Sequence, residues 1–127
     1  MVKGNFFLIF FILFSITISG CSIYHISSLE STTDYYPPKK SVNDVIYLEK
    51  IDRPFETIGE VIVNTERRQT INDVMDKIKY EASVLGADAI TNIRTDATGT
   101  WKKLPAHDLL KNGYVRTNFS ATAVIFK

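Results

Sequence analysis

The sequence contains few of the residues from which metal sites are usually built. It has one cysteine, Cys21, and two histidines, His25 and His107, among 127 residues. Zinc and copper sites take several Cys, His or carboxylate ligands at suitable spacing, and this chain does not offer such a set. A single cysteine also excludes an intramolecular disulfide. We therefore predict no metal site and no bound cofactor.

Motifs of enzymatic catalysis are missing as well. A catalytic nucleophile needs a positioned base and usually an orienting acid. His107 and Asp108 are neighbours in sequence, which does not place them for such a triad. The sequence has no Gly-x-Ser-x-Gly turn, and its six glycines are too scattered for a phosphate-binding loop. We predict no catalytic residue and a protein that is not an enzyme.

Neither sign of charge is in excess. Lys3 is the one charged residue among the first twenty, so removal of residues 1–20 leaves fourteen Lys and Arg against fourteen Asp and Glu. Nucleic-acid-binding domains normally carry a basic excess. The mature chain is therefore predicted not to bind nucleic acid, and its length allows one small domain with a modest core.

The first twenty residues have the organisation of a secretory signal peptide. Lys3 supplies a positive start, residues 6–18 carry no charge and are mostly apolar, and two small residues precede Cys21. The apolar run is shorter than the ~20 residues of a membrane-spanning helix. The motif Ile18-Ser19-Gly20-Cys21 resembles the lipobox of bacterial lipoproteins. This resemblance implies cleavage before Cys21, diacylglycerol on its sulfur and usually a third acyl chain on its new amino group.

Two alternatives remain open for this leader: an uncleaved anchor, and an ordinary signal peptide followed by a chance cysteine. Acylation accounts better for the single cysteine, because a free thiol is a liability in an oxidising compartment. Two or three acyl chains also give stable membrane attachment. In a bacterium with two membranes, Ser22 resembles the residue typical of outer-membrane sorting, to the periplasmic side. In a cell with one membrane, the same anchor faces outward from the plasma membrane.

Residues 21–41 are predicted to be a lipidated cysteine followed by a flexible tether. Hydroxyl residues favour turns or disorder, and the consecutive Pro37 and Pro38 stiffen the chain. Fully extended, this tether would reach roughly 60 Å. Residues 42–127 are predicted to form a single domain.

Hydrophobic patterns in that domain predict two strands, a helix and two further strands. The strands are expected at residues 43–51, 57–64, 87–94 and 114–127, which are rich in β-branched residues or alternate between apolar and polar. In residues 70–85 apolar side chains recur every three or four positions, with Thr70 at the start and Gly86 directly after, as in a capped amphipathic helix.

The predicted fold class is α+β: a small mixed sheet of about four strands, in the order β-β-α-β-β, with one main amphipathic helix packed on one face. The strands before and after the helix are expected to pair in parallel through a right-handed crossover. The last strand is expected to pair antiparallel with residues 87–94.

Three segments together resemble a known family. They are Ile58-Gly59-Glu60-Val61, residues 85–90 at the end of the helix, and residues 120–124. Their order is similar to that in the small α+β domain of the YbjQ-like family, described as heavy-metal-binding, and in related envelope lipoproteins such as the sensor of the Rcs pathway. The resemblance implies the same fold. The domain of that sensor is disulfide-bonded, whereas the single cysteine excludes redox sensing by that route here.

The connection formed by residues 96–113 is long for a small domain, which is typical of a functional or locally structured loop. A short helix is expected at residues 105–111, with a proline in its first turn. Trp101, Lys102, Lys103 and His107 are the candidate contact residues, because an aromatic beside cations on a loop suits contact with a protein partner, peptidoglycan or a lipid headgroup. The alternative, which we favour, is that Trp101 packs with Leu104, Leu109 and Leu110 as a satellite core.

The leading functional hypothesis is a membrane-anchored lipoprotein of the bacterial envelope whose domain binds, senses or scaffolds without catalysis. Its expected partners are the membrane, through acylated Cys21, and an envelope protein or peptidoglycan. The alternative is a lipoprotein that binds a small molecule or a metal ion, by analogy with the family description.

Overall fold

The computed structural model describes residues 24–65 and 69–127, which form an α+β domain with a mixed sheet and one main helix, as predicted. The main sheet has six strands: β1 Tyr24–Glu30, β2 Ile46–Tyr47, β3 Phe55–Thr65, β5 Ala89–Thr95, β6 Lys102–Lys103 and β8 Asn118–Phe126. Five of them lie in the spatial order β1-β3-β8-β5-β2, and the short strand β6 pairs antiparallel with the end of β5. A separate two-stranded sheet is formed by β4, Gln69–Thr70, and β7, Tyr114–Val115.

Strand β8 is the centre of the sheet and pairs antiparallel with β3 on one side and β5 on the other. Strands β3 and β5 therefore run in the same direction, but they do not touch, because β8 lies between them. The expected direct parallel pairing across the helix is thus wrong. The expected antiparallel pairing of the last strand with residues 87–94 is confirmed, with Ala89 opposite Val124 and Ile90 opposite Ala123.

The main helix, α1, spans Ile71–Val84 and has the predicted caps. The side chain of Thr70 accepts a hydrogen bond from the backbone N–H of Asp73, which satisfies one of the free donors at the helix start. Gly86, with φ of +84°, takes the left-handed conformation that closes a helix at little cost for glycine. The apolar stripe of α1 is buried, with Val74 and Ile78 almost inaccessible to solvent.

The core lies between α1 and one face of the sheet. Strand β8 contributes alternate residues to it, Phe119, Ala121 and Ala123, and β3 contributes Val61 and Val63 opposite them. A Cβ atom at residue 59 would lie 2.7 Å from the backbone carbonyl oxygen of Leu29 and 3.2 Å from Leu85 Cδ1, which is why glycine is found there. A bulge in β3 between Thr57 and Gly59 accompanies this close approach of β1.

The segment predicted as a first strand at residues 43–51 contains less strand than expected. Residues Val42–Asp44 form a 3-10 turn, in which the side chain of Ser41 and that of Asp44 cap each other's backbone. Only Ile46 and Tyr47 pair with the sheet, parallel to β5. The reciprocal hydrogen bonds of Ser41 and Asp44 stabilise a turn at the start of this segment, in competition with extended structure. The β-rich composition of the segment does not indicate this turn.

The prediction of a flexible tether is wrong for much of residues 24–41. Strand β1 pairs antiparallel with β3 over seven residues, from Tyr24 opposite Thr65 to Glu30 opposite Gly59. Further along, Lys39 Nζ lies 2.7 Å from Asp88 Oδ1. Strand β3 is eleven residues long, and β1 pairs with the backbone groups along the edge of β3 that β8 leaves free. The segment Tyr24–Glu30, which has the composition of a linker, is therefore a strand of the sheet.

Residues 1–20, predicted as a signal peptide, and Cys21, predicted to be acylated, lie outside the described residues. Within the part of the chain that the structure describes, no helix combines the length and apolar character needed to span a membrane.

Candidate functional site

The sheet has two unequal faces. One face is covered by α1, and the residues that alternate with the core residues point to the other, which we call the outer face. On β8 these are Ser120, Thr122, Val124 and Phe126. Register places Glu60, Arg94 and Ile46 on the same side, through their pairings with Thr122, Ser120 and Ala89. Neither helix of the described chain covers this face.

Large apolar side chains are exposed on the outer face. Leu29 is 63% exposed, Ile46 45%, Phe55 44% and Trp101 45%. The smaller residues between them are fully buried, Ala89 and Val124 at 0%. Over Phe126, the guanidinium carbon of Arg53 lies 4.3 Å from the ring centroid. The outer face therefore has a buried centre, and single apolar side chains on different strands are exposed around it.

An ion pair crosses the middle of this face. Arg94 Nη2 on β5 lies 2.8 Å from Glu60 Oε1 on β3, so the two side chains bridge over β8. Both side chains are 38% exposed, and such a pair contributes no more than about 1 kcal/mol of stability. The guanidinium carbon of Arg94 is also 5.9 Å from the ring centroid of Trp101. Arg94 therefore helps to hold the indole at the edge of the outer face.

The candidate contact residues are separated by the fold. Trp101 and Lys103 belong to the outer face, since Lys103 pairs with Arg94 in the β5–β6 ladder. Lys102, between them, points to the opposite side of β6. His107 lies on the second helix, α2, Ala106–Leu110, as expected for a short helix there, and is 72% exposed.

The expected packing of Trp101 as a satellite core is wrong for Trp101 itself. Leu109 is buried in the main core and Leu104 packs against it, so these two leucines belong to the main core and not to a satellite. Trp101 is instead half-exposed beside Arg94, and Leu110 is 84% exposed. The proline at residue 105 directs the chain into α2, so the two leucines turn inward while the tryptophan remains on the sheet edge.

The outer-face residues Leu29, Ile46, Phe55, Glu60 and Arg94 were missed from the sequence as site residues. Period-two alternation in β3 was a usable signal for Glu60. Leu29 gave no comparable signal, because its segment has the composition of a linker. Arg94 and Glu60 are far apart in sequence, and only the insertion of β8 between their strands brings them together.

A polar cleft of about 740 Å³ lies at the end of the sheet where β1 begins, and Thr65, Asp96, Tyr114 and Thr117 are among its lining residues. Asp96 Oδ1 accepts hydrogen bonds from the Thr117 hydroxyl at 2.7 Å and from the Asn118 backbone at 3.1 Å. Its Oδ2 accepts one from the Asn118 side-chain amide at 2.7 Å.

These hydrogen bonds, with that of the Asn118 side chain the strongest influence, lower the pKa of Asp96 below its ordinary value. The carboxylate is thus engaged in fixing the start of β8.

Among the residues 24–65 and 69–127, no three His, Cys, Asp or Glu side chains are grouped closely enough to hold a metal ion. The metal-binding alternative is therefore supported by the family resemblance alone.

Comparison with known proteins gives no further guide to function. No family model, no curated protein and no solved structure matches the chain.

Proposed function

We propose that this chain is a lipoprotein of the bacterial envelope, acylated on Cys21, whose domain binds another envelope protein and performs no catalysis. The observation that carries the proposal is the order of a positive start, an apolar run and Ile18-Ser19-Gly20-Cys21. Signal-peptide processing needs small residues before the cut, and the acyl chains that replace the leader give stable attachment to the membrane.

The outer face supports the binding half of the proposal. Three large apolar side chains, Leu29, Ile46 and Phe55, protrude there around the ion pair of Arg94 and Glu60. An apolar protein surface would bury these side chains at a gain of about 25 cal/mol per Å². A peptidoglycan strand offers mainly sugars and a polar peptide, so a protein partner suits this surface better.

Acylation is tested by expressing the full chain in a bacterium with radiolabelled palmitate and by intact-mass measurement of the membrane fraction. Label is expected in the wild-type chain, with the mass of residues 21–127 plus diacylglycerol and a third acyl chain. The Cys21→Ala variant should carry no label. A wild-type product that retains residues 1–20, or that has a free thiol, would refute the anchor.

Binding is tested by photo-crosslinking in cells from single positions on the domain. A photoreactive residue at 29 or 55 is expected to give a discrete adduct with one envelope protein. Tyr80 is the matched control, because it is 57% exposed but lies on α1, away from the outer face. Equal adducts from all three positions, or none from 29 and 55, would contradict the assignment of the outer face.

A further inference from the structure

The proposed acylation site, Cys21, is very close in sequence to the first strand of the sheet. Strand β1 begins at Tyr24, so only residues 22 and 23 separate it from Cys21. At a maximum of about 3.6 Å per residue, the Cα atom of Tyr24 lies within about 11 Å of that of Cys21, whatever the conformation between them. The domain is therefore held at the lipid surface and does not hang from a long tether.

The register of the sheet defines which end of the domain is nearest the anchor. Tyr24 is paired with Thr65, the last residue of β3, and β3 pairs there with the start of β8. The end of β5 is at the same level, because Thr95 pairs with Phe119. We call this the anchor end; its described connections are residues 95–102 and 114–117. The opposite end of the eleven-residue strand β3 is roughly 35 Å away.

The anchor end has the side chains that suit a lipid surface. Trp101 and Tyr114 are 45% and 65% exposed there. Lys102 and Arg116 are exposed beside them. Tryptophan and tyrosine favour the level of the lipid headgroups, where one part of the ring is apolar and another polar. Each Lys or Arg near an anionic membrane contributes about 1 kcal/mol.

Two acidic residues of the described chain, Asp73 and Asp96, lie near this end. Asp96 keeps its negative charge, because its hydrogen-bond donors on Thr117 and Asn118 are neutral, but the two exposed cations Lys102 and Arg116 outnumber it. Asp73 lies in the first turn of α1, where the positive end of the helix dipole partly offsets its charge.

We infer that the anchor end docks directly on the bilayer, with Trp101 and Tyr114 among the headgroups and Lys102 and Arg116 on anionic lipids. This inference rests on the proposed acylation of Cys21. It orients the domain: the strands rise from the membrane, and the outer face is presented sideways to partners in the envelope.

Trp101 is the only tryptophan, so its fluorescence reports on one position at the anchor end. The acylated full chain is reconstituted into phosphatidylethanolamine and phosphatidylglycerol vesicles, with and without lipids brominated on the acyl carbons nearest the headgroup. Trp101 is expected to lose emission in the brominated vesicles. The Trp101→Phe/Tyr35→Trp variant is the matched control, because Tyr35 is 82% exposed near the opposite end; it should lose none.

Two results would overturn the inference: no quenching of Trp101, or equal quenching of tryptophan at 101 and at 35. If the mass of the same sample shows acylated Cys21, the proposed function stands and only docking fails. If the mass shows no acylation, the proposed function fails first. A Lys102→Glu/Arg116→Glu variant is expected to lose part of the quenching of Trp101, and unchanged quenching would remove these two cations from the contact.

Discussion

Gly86 and Tyr36 are packed so closely that a Cβ atom at residue 86 would lie 2.7 Å from the Cβ of Tyr36. Gly86 also has φ of +84°, which costs other residues about 1–2 kcal/mol. The Gly86→Ala variant therefore combines backbone strain with overlap. We expect its free energy of unfolding, measured in urea, to fall by about 3 kcal/mol.

Gly99 provides the matched control for this prediction. It has φ of +91°, but no atom lies within 4 Å of where its Cβ would be. Gly99→Ala should lose only the backbone contribution, about 1 kcal/mol. Equal losses in the two variants would mean that the contact between Gly86 and Tyr36 contributes nothing.

Substitutions at Ile26 and Tyr35 test whether residues 24–30 are a strand of the stable fold, as the structure has them, or part of a flexible tether. Ile26 lies on β1 and packs against the core, whereas Tyr35 is 82% exposed. Ile26→Ala should lower the free energy of unfolding by about 1–2 kcal/mol, because the side chain is only partly buried. Tyr35→Ala should stay within about 0.5 kcal/mol of wild type. If Ile26→Ala were equally neutral in urea unfolding, β1 would not be part of the stable fold.

Ser120 and Thr65 both have buried hydroxyl groups, but within residues 24–65 and 69–127 only that of Thr65 has hydrogen-bond partners. Ser120 Oγ has no hydrogen-bond partner among the described residues, although the side chain is 2% exposed. Thr65 Oγ1 accepts from the backbone N–H of Thr117 at 2.9 Å and donates to the carbonyl of Thr117. Ser120→Ala should be neutral or slightly stabilising, and Thr65→Val should cost about 1–3 kcal/mol in urea unfolding. The reverse ranking would contradict these hydrogen bonds.

The lowered pKa values of Asp88 and Asp96 predict that the free energy of unfolding decreases in acid. Burial alone would raise the pKa of Asp88, but hydrogen bonds from Lys39 and from the backbone of Phe126, with the charges of Lys39 and Arg53, outweigh it and lower the pKa. The pKa of Asp96 is lowered by Asn118 and Thr117. Both lie below the unfolded value of about 3.9. The stability that these carboxylates contribute is present above that pH and is lost as the pH falls through the folded pKa values.

Urea unfolding between neutral pH and pH 3 measures this loss. Asp88→Asn and Asp96→Asn should be less stable than wild type at pH 7, and the difference should shrink toward pH 3. Asp52→Asn, on an exposed loop, controls for the removal of one negative charge. Stability curves of Asp88→Asn and Asp96→Asn that run parallel to that of wild type would contradict the linkage.

Local sequence signals predicted the local parts of this fold. Helix α1 was predicted to within a residue at each end, because its periodicity, the Thr70 cap and Gly86 all act within one turn of each other. Strand β1 was missed, since its place is set by the free edge of β3, and the paired residues are 29 to 41 positions apart in the chain. The outer face was missed for the same reason: Glu60 and Arg94 meet only after β8 has entered between their strands.

The position of β8 also has a consequence for how the protein is made. The central strand is built from residues 118–126, and without it β3 and β5 have no common neighbour. A growing chain therefore cannot close its sheet until residues 118–126 have left the ribosome, and pairings between distant segments form slowly. This delay suits the export that we propose, because a chain whose sheet is still open can be threaded through a secretion pore.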